Sequence, residues 1–327
     1  MIANRMLGGL AIHVALAAAA SAPARVVPPT GHYVYTLRPS VRIVQEDTPA
    51  KELRNAAAVF WPGEDRISAI LALNGIADES RLKFGTVLRV PPPSQANAMN
   101  RSFEQGLRLE VGPVGGHTAH VDCDPCSTPV GHDDLAPPVV ALRVTDDRGR
   151  ALHVRLEPIP DAESGGPYTG GDVTDLRGWN LPDGDVLLVV RSQDATGSAG
   201  FGVAGGIACY RLSTGPRVAL LASLPGDSGG SGGGGSSHVD CSLSAALEGG
   251  SFVLTVARVE YGFGTDLRPD HPMVTTSSEA ESRQRLAYDA ARHTMNVGPI
   301  VEVARRHKRW AEAEPEPAAF TEDPVRP

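Results

Sequence analysis

The chain is poor in aromatic residues, which make up 5% of its 327 positions, and it holds only four cysteines. Lysine is nearly absent: Lys51, Lys83 and Lys308 are the full set. Basic residues number 30 against 38 acidic ones, a formal net charge of −8. An acidic chain repels a phosphate backbone, so no nucleic-acid partner is expected. Few aromatics beside 36 glycines and 27 prolines argue against long packed helices and for short strands joined by many turns. Beyond residue 20 no apolar run approaches the roughly 20 residues that a helical membrane span needs.

What the chain does have begins at its first residues. Arg5 precedes an apolar stretch over 6–20, followed by the small residues Ala20, Ser21, Ala22 and Ala24. That order predicts a secretory signal over 1–24, cleaved near 22–24, with an uncleaved anchor helix as the alternative. No cysteine follows the apolar run, so a lipid anchor is not supported. The expectation is an exported protein of the periplasm, cell wall or extracellular space, with no membrane span after cleavage. An even cysteine count in such a chain suggests disulfides among Cys123, Cys126, Cys209 and Cys241, with three possible pairings. Zinc is an alternative, because Cys123 and Cys126 lie at ligand spacing with His120 nearby and Cys209 or Cys241 to complete a tetrahedron. The string His-Val-Asp-Cys occurs at 120–123 and again at 238–241, as two half-sites would. Free or redox-active thiols are the third option.

Composition divides the rest. Residues 25–40 are a Pro-containing approach with an alternating patch at 33–36. Residues 41–91 are compact and periodic, and they close on three prolines at 91–93, a stiff stop. Residues 92–106 read as a linker, 107–298 as a β-rich domain, and 311–327 as a Glu/Pro/Ala-rich disordered tail. Within the β-rich domain, strands are predicted over 139–144, 152–156, 186–190, 207–212, 218–221, 252–256 and 285–288. Turn signals at 146–149, 213–216 and 248–250 separate several of them. Residues 226–237, nearly all Gly and Ser, read as a flexible loop. Residues 305–310 read as a short basic helix or as part of the tail.

The unit at 41–91 is the most regular. A short strand is predicted over 41–44. Asp47 or Thr48 caps a helix with Pro49 in its first turn, and Leu53, Ala56, Ala57 and Phe60 form its apolar stripe. Pro62-Gly63 breaks that helix. A second helix carries Ile67, Ile70 and Leu71 and ends at Asn74-Gly75. A second strand follows over 87–90. The predicted fold class is therefore α+β: a small βααβ domain followed by an antiparallel all-β domain.

The segments Val44-Gln45-Glu46-Asp47-Thr48, Ile70-Leu71-Ala72-Leu73-Asn74-Gly75-Ile76 and 82–91, in that order and spacing, resemble LysM domains. The resemblance covers about a sixth of the chain. It implies binding of peptidoglycan or a related N-acetylglucosamine polymer such as chitin, in a groove between two loops. Carried over by position, one loop is Glu46, Asp47, Thr48 and Pro49, and the other is Asn74, Gly75, Ile76, Ala77 and Asp78. Glu46 stands where the family usually has Gly, and Phe84 where it usually has Pro. Taken without the resemblance, Asp47, Thr48 and Asn74 are helix caps.

Three further patterns invite chemistry. Gly226-Asp227-Ser228-Gly229-Gly230 matches the nucleophile string of trypsin-like proteases, and His117-Thr118-Ala119-His120 lies upstream. A catalytic serine needs a rigid oxyanion hole, which a Gly/Ser loop does not provide. Asp172, Asp175, Asp183 and Asp185 faintly resemble the calcium loops of FG-GAP-like repeats, but Arg177 and Trp179 occupy ligand positions and oppose a cation. His132, His153, His271 and His293 show no partner pattern and read as surface or packing residues. The sequence thus points to an exported, non-catalytic glycan-binding protein with no metal and no cofactor. The alternative is a cell-wall-acting hydrolase or protease whose catalytic part is the β-rich domain.

Overall fold

The computed structural model describes residues 24–39, 48–61, 66–93, 106–125, 140–155, 159–160, 167–168, 172–196, 202–232, 235–266 and 274–311. The first elements are β1 (Arg25–Val26), β2 (His32–Thr36), α1 (Pro49–Phe60), α2 (Arg66–Leu73), a single 3-10 turn (Glu79–Arg81) and β3 (Val87–Val90). Strands follow without further helix among the described residues: β4 (Leu107–Val114), β5 (His117–Pro125), β6 (Val140–Asp146), β7 (Ala151–Arg155), and the short pair β8 (Ile159–Pro160) and β9 (Pro167–Tyr168). The last eight are β10 (Asp172–Asn180), β11 (Val186–Thr196), β12 (Gly202–Ser213), β13 (Arg217–Gly232), β14 (Gly235–Glu248), β15 (Ser251–Asp266), β16 (Val274–Asp289) and β17 (Thr294–Ala311).

This architecture corrects the predicted fold class. The protein is predominantly antiparallel β, built on two large sheets, and not an α+β chain headed by a βααβ LysM-like domain. The two helices do fall over 49–60 and 66–73, but the strand facing β3 is β2, drawn from the approach segment. Residues 41–44, predicted as that strand, lie outside the described residues. β2 also pairs on its other edge with β4, in the order β3-β2-β4-β5-β6-β7. The helices are thus a crossover within a six-stranded sheet. Their apolar residues Leu53, Phe60 and Ile70 share one core with Leu107, Val121, Leu188 and Tyr210.

Local chemistry explains the helices. Thr48 caps α1, its hydroxyl accepting from the Lys51 amide at 3.2 Å, and Pro49 fits the first turn. Trp61 ends the helix and donates its indole N–H to the Pro91 carbonyl at 2.8 Å. Tyr35, Phe60 and Trp61 meet edge to face, with ring centroids 5.7 to 6.3 Å apart.

The second sheet has nine strands, running in sequence order from β10 to β17 with β1 added on β14. β13 and β14 pair only through 228–232 and 235–239. Beyond that hairpin they part, and β14 takes β1 as its neighbour instead. The sheet thereby folds over itself, and Trp179, Leu187, Cys209, Phe252, Leu254 and Tyr288 pack between its halves. The other face of β10–β12 packs on the six-stranded sheet. Along β11, Val186, Leu188 and Val190 join one core while Leu187 and Val189 join the other. The continuous apolar run at 186–190 reflects this burial on both faces.

Three more expectations are corrected here. The Gly/Ser run at 226–237 is not a flexible loop: its described residues form the ends of β13 and β14. Its glycines permit close backbone contact. A methyl group on Gly205, opposite in β12, would stand 2.3 Å from the Asp227 carbonyl oxygen, and one on Gly226 would meet the Gly206 amide at 2.9 Å. Residues 305–310 are neither helix nor tail but the far half of β17. The predicted disulfide framework is not found among the described residues, where Cys123, Cys209 and Cys241 are buried and not joined to one another. Cys126 and the 312–327 tail lie outside those residues, as does the signal segment through residue 23. No helix of the described residues is long and apolar enough to cross a membrane.

Candidate functional site

The expected glycan loops divide unevenly. Glu46 and Asp47 lie outside the described residues. Thr48 is committed to the α1 cap and Pro49 to its first turn. Asn74 is a clamp. Its amide Nδ2 donates to the carbonyls of Ile70 (2.7 Å) and Arg89 (2.8 Å), and its Oδ1 accepts from the Arg89 N–H (2.7 Å). The side chain thereby pairs with the outer edge of β3 as a neighbouring strand would, and fastens the end of α2 to it. Gly75 follows at φ +65°, the left-handed conformation that ends the helix. Asp78 caps the 3-10 turn through the Ser80 amide and hydroxyl, and these bonds hold its carboxyl below the usual carboxylate range. An Arg54–Glu79 ion pair ties this loop to the first half of α1. Gly75, Ala77 and Asp78 are exposed, and among the described residues the carbonyls of Gly75, Ile76 and Ala77 have no hydrogen-bond partner.

Beside that loop lies a trough of about 390 Å³ on the open face of β3, β2 and β4, lined by Leu73, Asn74, Val87, Arg89, His32 and Glu110. Leu73 and Val87 are each 56% exposed there. His32 also borders a larger cavity of about 590 Å³ at the seam between the two sheets. Val90, Pro92 and Pro93 form one wall of that cavity, and Thr174, Asp175, Arg177 and Arg191 form another.

A charged chain runs along the nine-stranded side of the seam. Asp175 Oδ2 is ion-paired with Arg177, 2.7 Å from its Nε, and lies 3.9 Å from Arg191. Arg191 also pairs with Asp227, whose other oxygen accepts from the Cys241 amide at 2.6 Å. Burial outweighs the two guanidinium groups and pushes the Asp175 carboxyl up. The Tyr33 hydroxyl donates to the Leu176 carbonyl at 2.7 Å, and the Thr30 amide donates to Gly178 at 2.8 Å, so the approach segment is stitched along β10. The Thr174 hydroxyl and Arg191 Nε are buried with no hydrogen-bond partner among the described residues, and both belong to the cavity lining.

The other patterns in the sequence are dispersed by the fold. Ser228 is a strand residue opposite Val239, while His120 sits in the other sheet facing Glu110, so the expected His120–Ser228 pair is not formed. Asp227 of that string serves the seam. The two His-Val-Asp-Cys strings lie in β5 and β14. Cys123 belongs to one core and Cys209 and Cys241 to the other, which separates the thiols proposed as zinc ligands. The four aspartates form no single loop. Asp172 and Asp175 lie in β10, and Asp183 and Asp185 in the turn that follows. Trp179, at a supposed ligand position, instead packs in the core and donates to the Val27 carbonyl at 3.2 Å.

One constellation escaped the sequence reading. The Leu181–Asp185 turn brings Asp183 against Tyr288 and His293, at the β16–β17 turn. Nothing in the local sequence marks it, since the partners are 105 and 110 residues apart. No protein-family model, no curated protein and no solved structure matches the chain.

Proposed function

We propose that the protein is exported and binds a glycan of the N-acetylglucosamine type, peptidoglycan or a related polymer. The polymer would lie along the open face of β3, β2 and β4, starting at the exposed loop of Gly75, Ile76, Ala77 and Asp78. The observation that carries this reading is the exposed trough beside Asn74, which has His32 as a lining residue in common with the seam cavity and offers an open hollow to an extended ligand. The exposed Leu73 and Val87 offer apolar surface to acetyl methyls and ring faces. The open carbonyls of the loop accept from amide and hydroxyl groups, while Arg89 and Glu110 supply charged partners and His32 an imidazole. A single site of this kind binds weakly, and avidity would come from several chains on one polymer.

The test is co-sedimentation of the mature chain with insoluble wall sacculi and with chitin. Wild type is expected in the pellet, and Val87→Asp and Leu73→Asp, which charge the trough without touching the core, are expected in the supernatant. Wild type remaining in solution with both polymers refutes the proposal. So does equal pelleting of wild type and both variants.

A further inference from the structure

We infer that Asp183, Tyr288 and His293, with Asp185 beside them, form a site for one divalent transition-metal ion of the Zn2+ type. The Tyr288 hydroxyl is 2.6 Å from Asp183 Oδ2, His293 Nδ1 is 3.0 Å from the same oxygen, and the hydroxyl and Nδ1 are 3.2 Å apart. Tyr288 and His293 each bring at most one proton to this triangle, and the one carboxylate oxygen takes both. The third edge then has no proton of its own. An ion satisfies all three atoms at once. The circle through them has a radius of about 1.7 Å, so an ion at the usual distance of about 2.1 Å sits about 1.2 Å off their plane. One carboxylate oxygen each from Asp183 and Asp185 and one His293 nitrogen all lie within 4.8 Å of one another.

Charge and access agree with this. Arg211 holds Asp185 through Nε at 2.5 Å, leaving that carboxylate one oxygen to turn towards the ion. Two carboxylates against one guanidinium leave the cluster negative, so a cation is attracted overall. The mixed imidazole and oxygen donors suit Zn2+ and its first-row neighbours. Ca2+ would require six or more oxygens, which the cluster does not supply. The His293 side chain is 44% exposed, giving an entry path.

Each half of the site is set by its own turn. In the first, the Leu181 amide donates to the Asp185 carbonyl, and Gly184 takes φ +86°. In the second, Asp289 Oδ1 accepts from the Ala291 and Arg292 amides, and His293 takes φ +54°. The turns belong to opposite halves of the folded-over sheet, so an ion would brace one half against the other.

The test uses the full chain, stripped with chelator and titrated calorimetrically with zinc chloride, then with Co2+ for its absorption spectrum. One ion per chain is expected. The Co2+ spectrum should show weak visible bands and no thiolate charge transfer. His293→Gln and Tyr288→Phe should each weaken binding at least tenfold and abolish the metal-dependent rise in melting temperature. Tyr288→Phe keeps the buried ring, so it preserves the measurement if His293→Gln does not fold. Three results overturn the inference: no zinc uptake by wild type, equal affinity in wild type and Tyr288→Phe, or a thiolate charge-transfer band.

Discussion

Replacing Asn74 with Ala removes three hydrogen bonds, two that join the end of α2 to the free edge of β3 and one back to the Ile70 carbonyl within α2. A typical intramolecular hydrogen bond contributes about 1 kcal/mol net, but water can reach part of this site and replace some of what is lost. The expected cost is therefore about 2 kcal/mol, or about 3 °C in melting temperature for a chain of this size. Asn74→Asp keeps an acceptor for the Arg89 N–H and loses both donated bonds, so its cost should fall between wild type and Ala. Urea unfolding followed by tryptophan fluorescence measures this, with an unchanged denaturant slope showing that the unfolded state is not altered. A cost below about 0.5 kcal/mol for Asn74→Ala would refute the clamp. If the alanine variant lost glycan binding at unchanged stability, Asn74 would be a ligand contact and not a structural one.

Gly205→Ala should be severely destabilising, by about 3 kcal/mol or more, because the new methyl meets the Asp227 carbonyl oxygen at 2.3 Å and both strands must shift. Soluble yield and urea midpoint report it, and a variant within about 0.5 kcal/mol of wild type would show that the β12–β13 contact is looser than described. Burial pushes the Cys209 thiol up to about 12, and burial together with Asp227 pushes Cys241 up to about 11. Near pH 8 both should resist iodoacetamide in the native protein and react only in concentrated guanidinium; rapid labelling of either in the native state would contradict their placement.

Much of the β-rich region was legible because its signals are local. The apolar run at 186–190 and the glycine turns at 213–216 and 248–250 fix strand and turn positions without reference to anything distant. The helices at 49–60 and 66–73 were legible for the same reason: a cap, a proline and an apolar stripe lie within one segment. Pairing was not. The strand beside β3 was sought at 41–44 because those residues are apolar and adjacent to α1. Yet Tyr33 and Tyr35 reach the core, and β2 can pair on both edges. The Gly/Ser run was misread because glycine ordinarily weakens a strand. Here close backbone approach across β12 and β13 requires it. The Asp183–Tyr288–His293 cluster could not be assembled from the sequence, where Asp183 belonged only to a faint calcium-loop pattern, since the two hairpin turns meet only when the sheet folds over.

The middle layer, β10 to β12, buries apolar side chains on both faces. Neither outer layer can be cut away without exposing it. A truncation beginning at residue 107 would also remove β2, which occupies the outer edge of β4, and β3 beyond it. Laboratory dissection into an N-terminal binder and a C-terminal remainder should therefore yield two insoluble fragments. The described strands stand or fall together as one stack, and insertions at their hairpin tips are the changes expected to be tolerated.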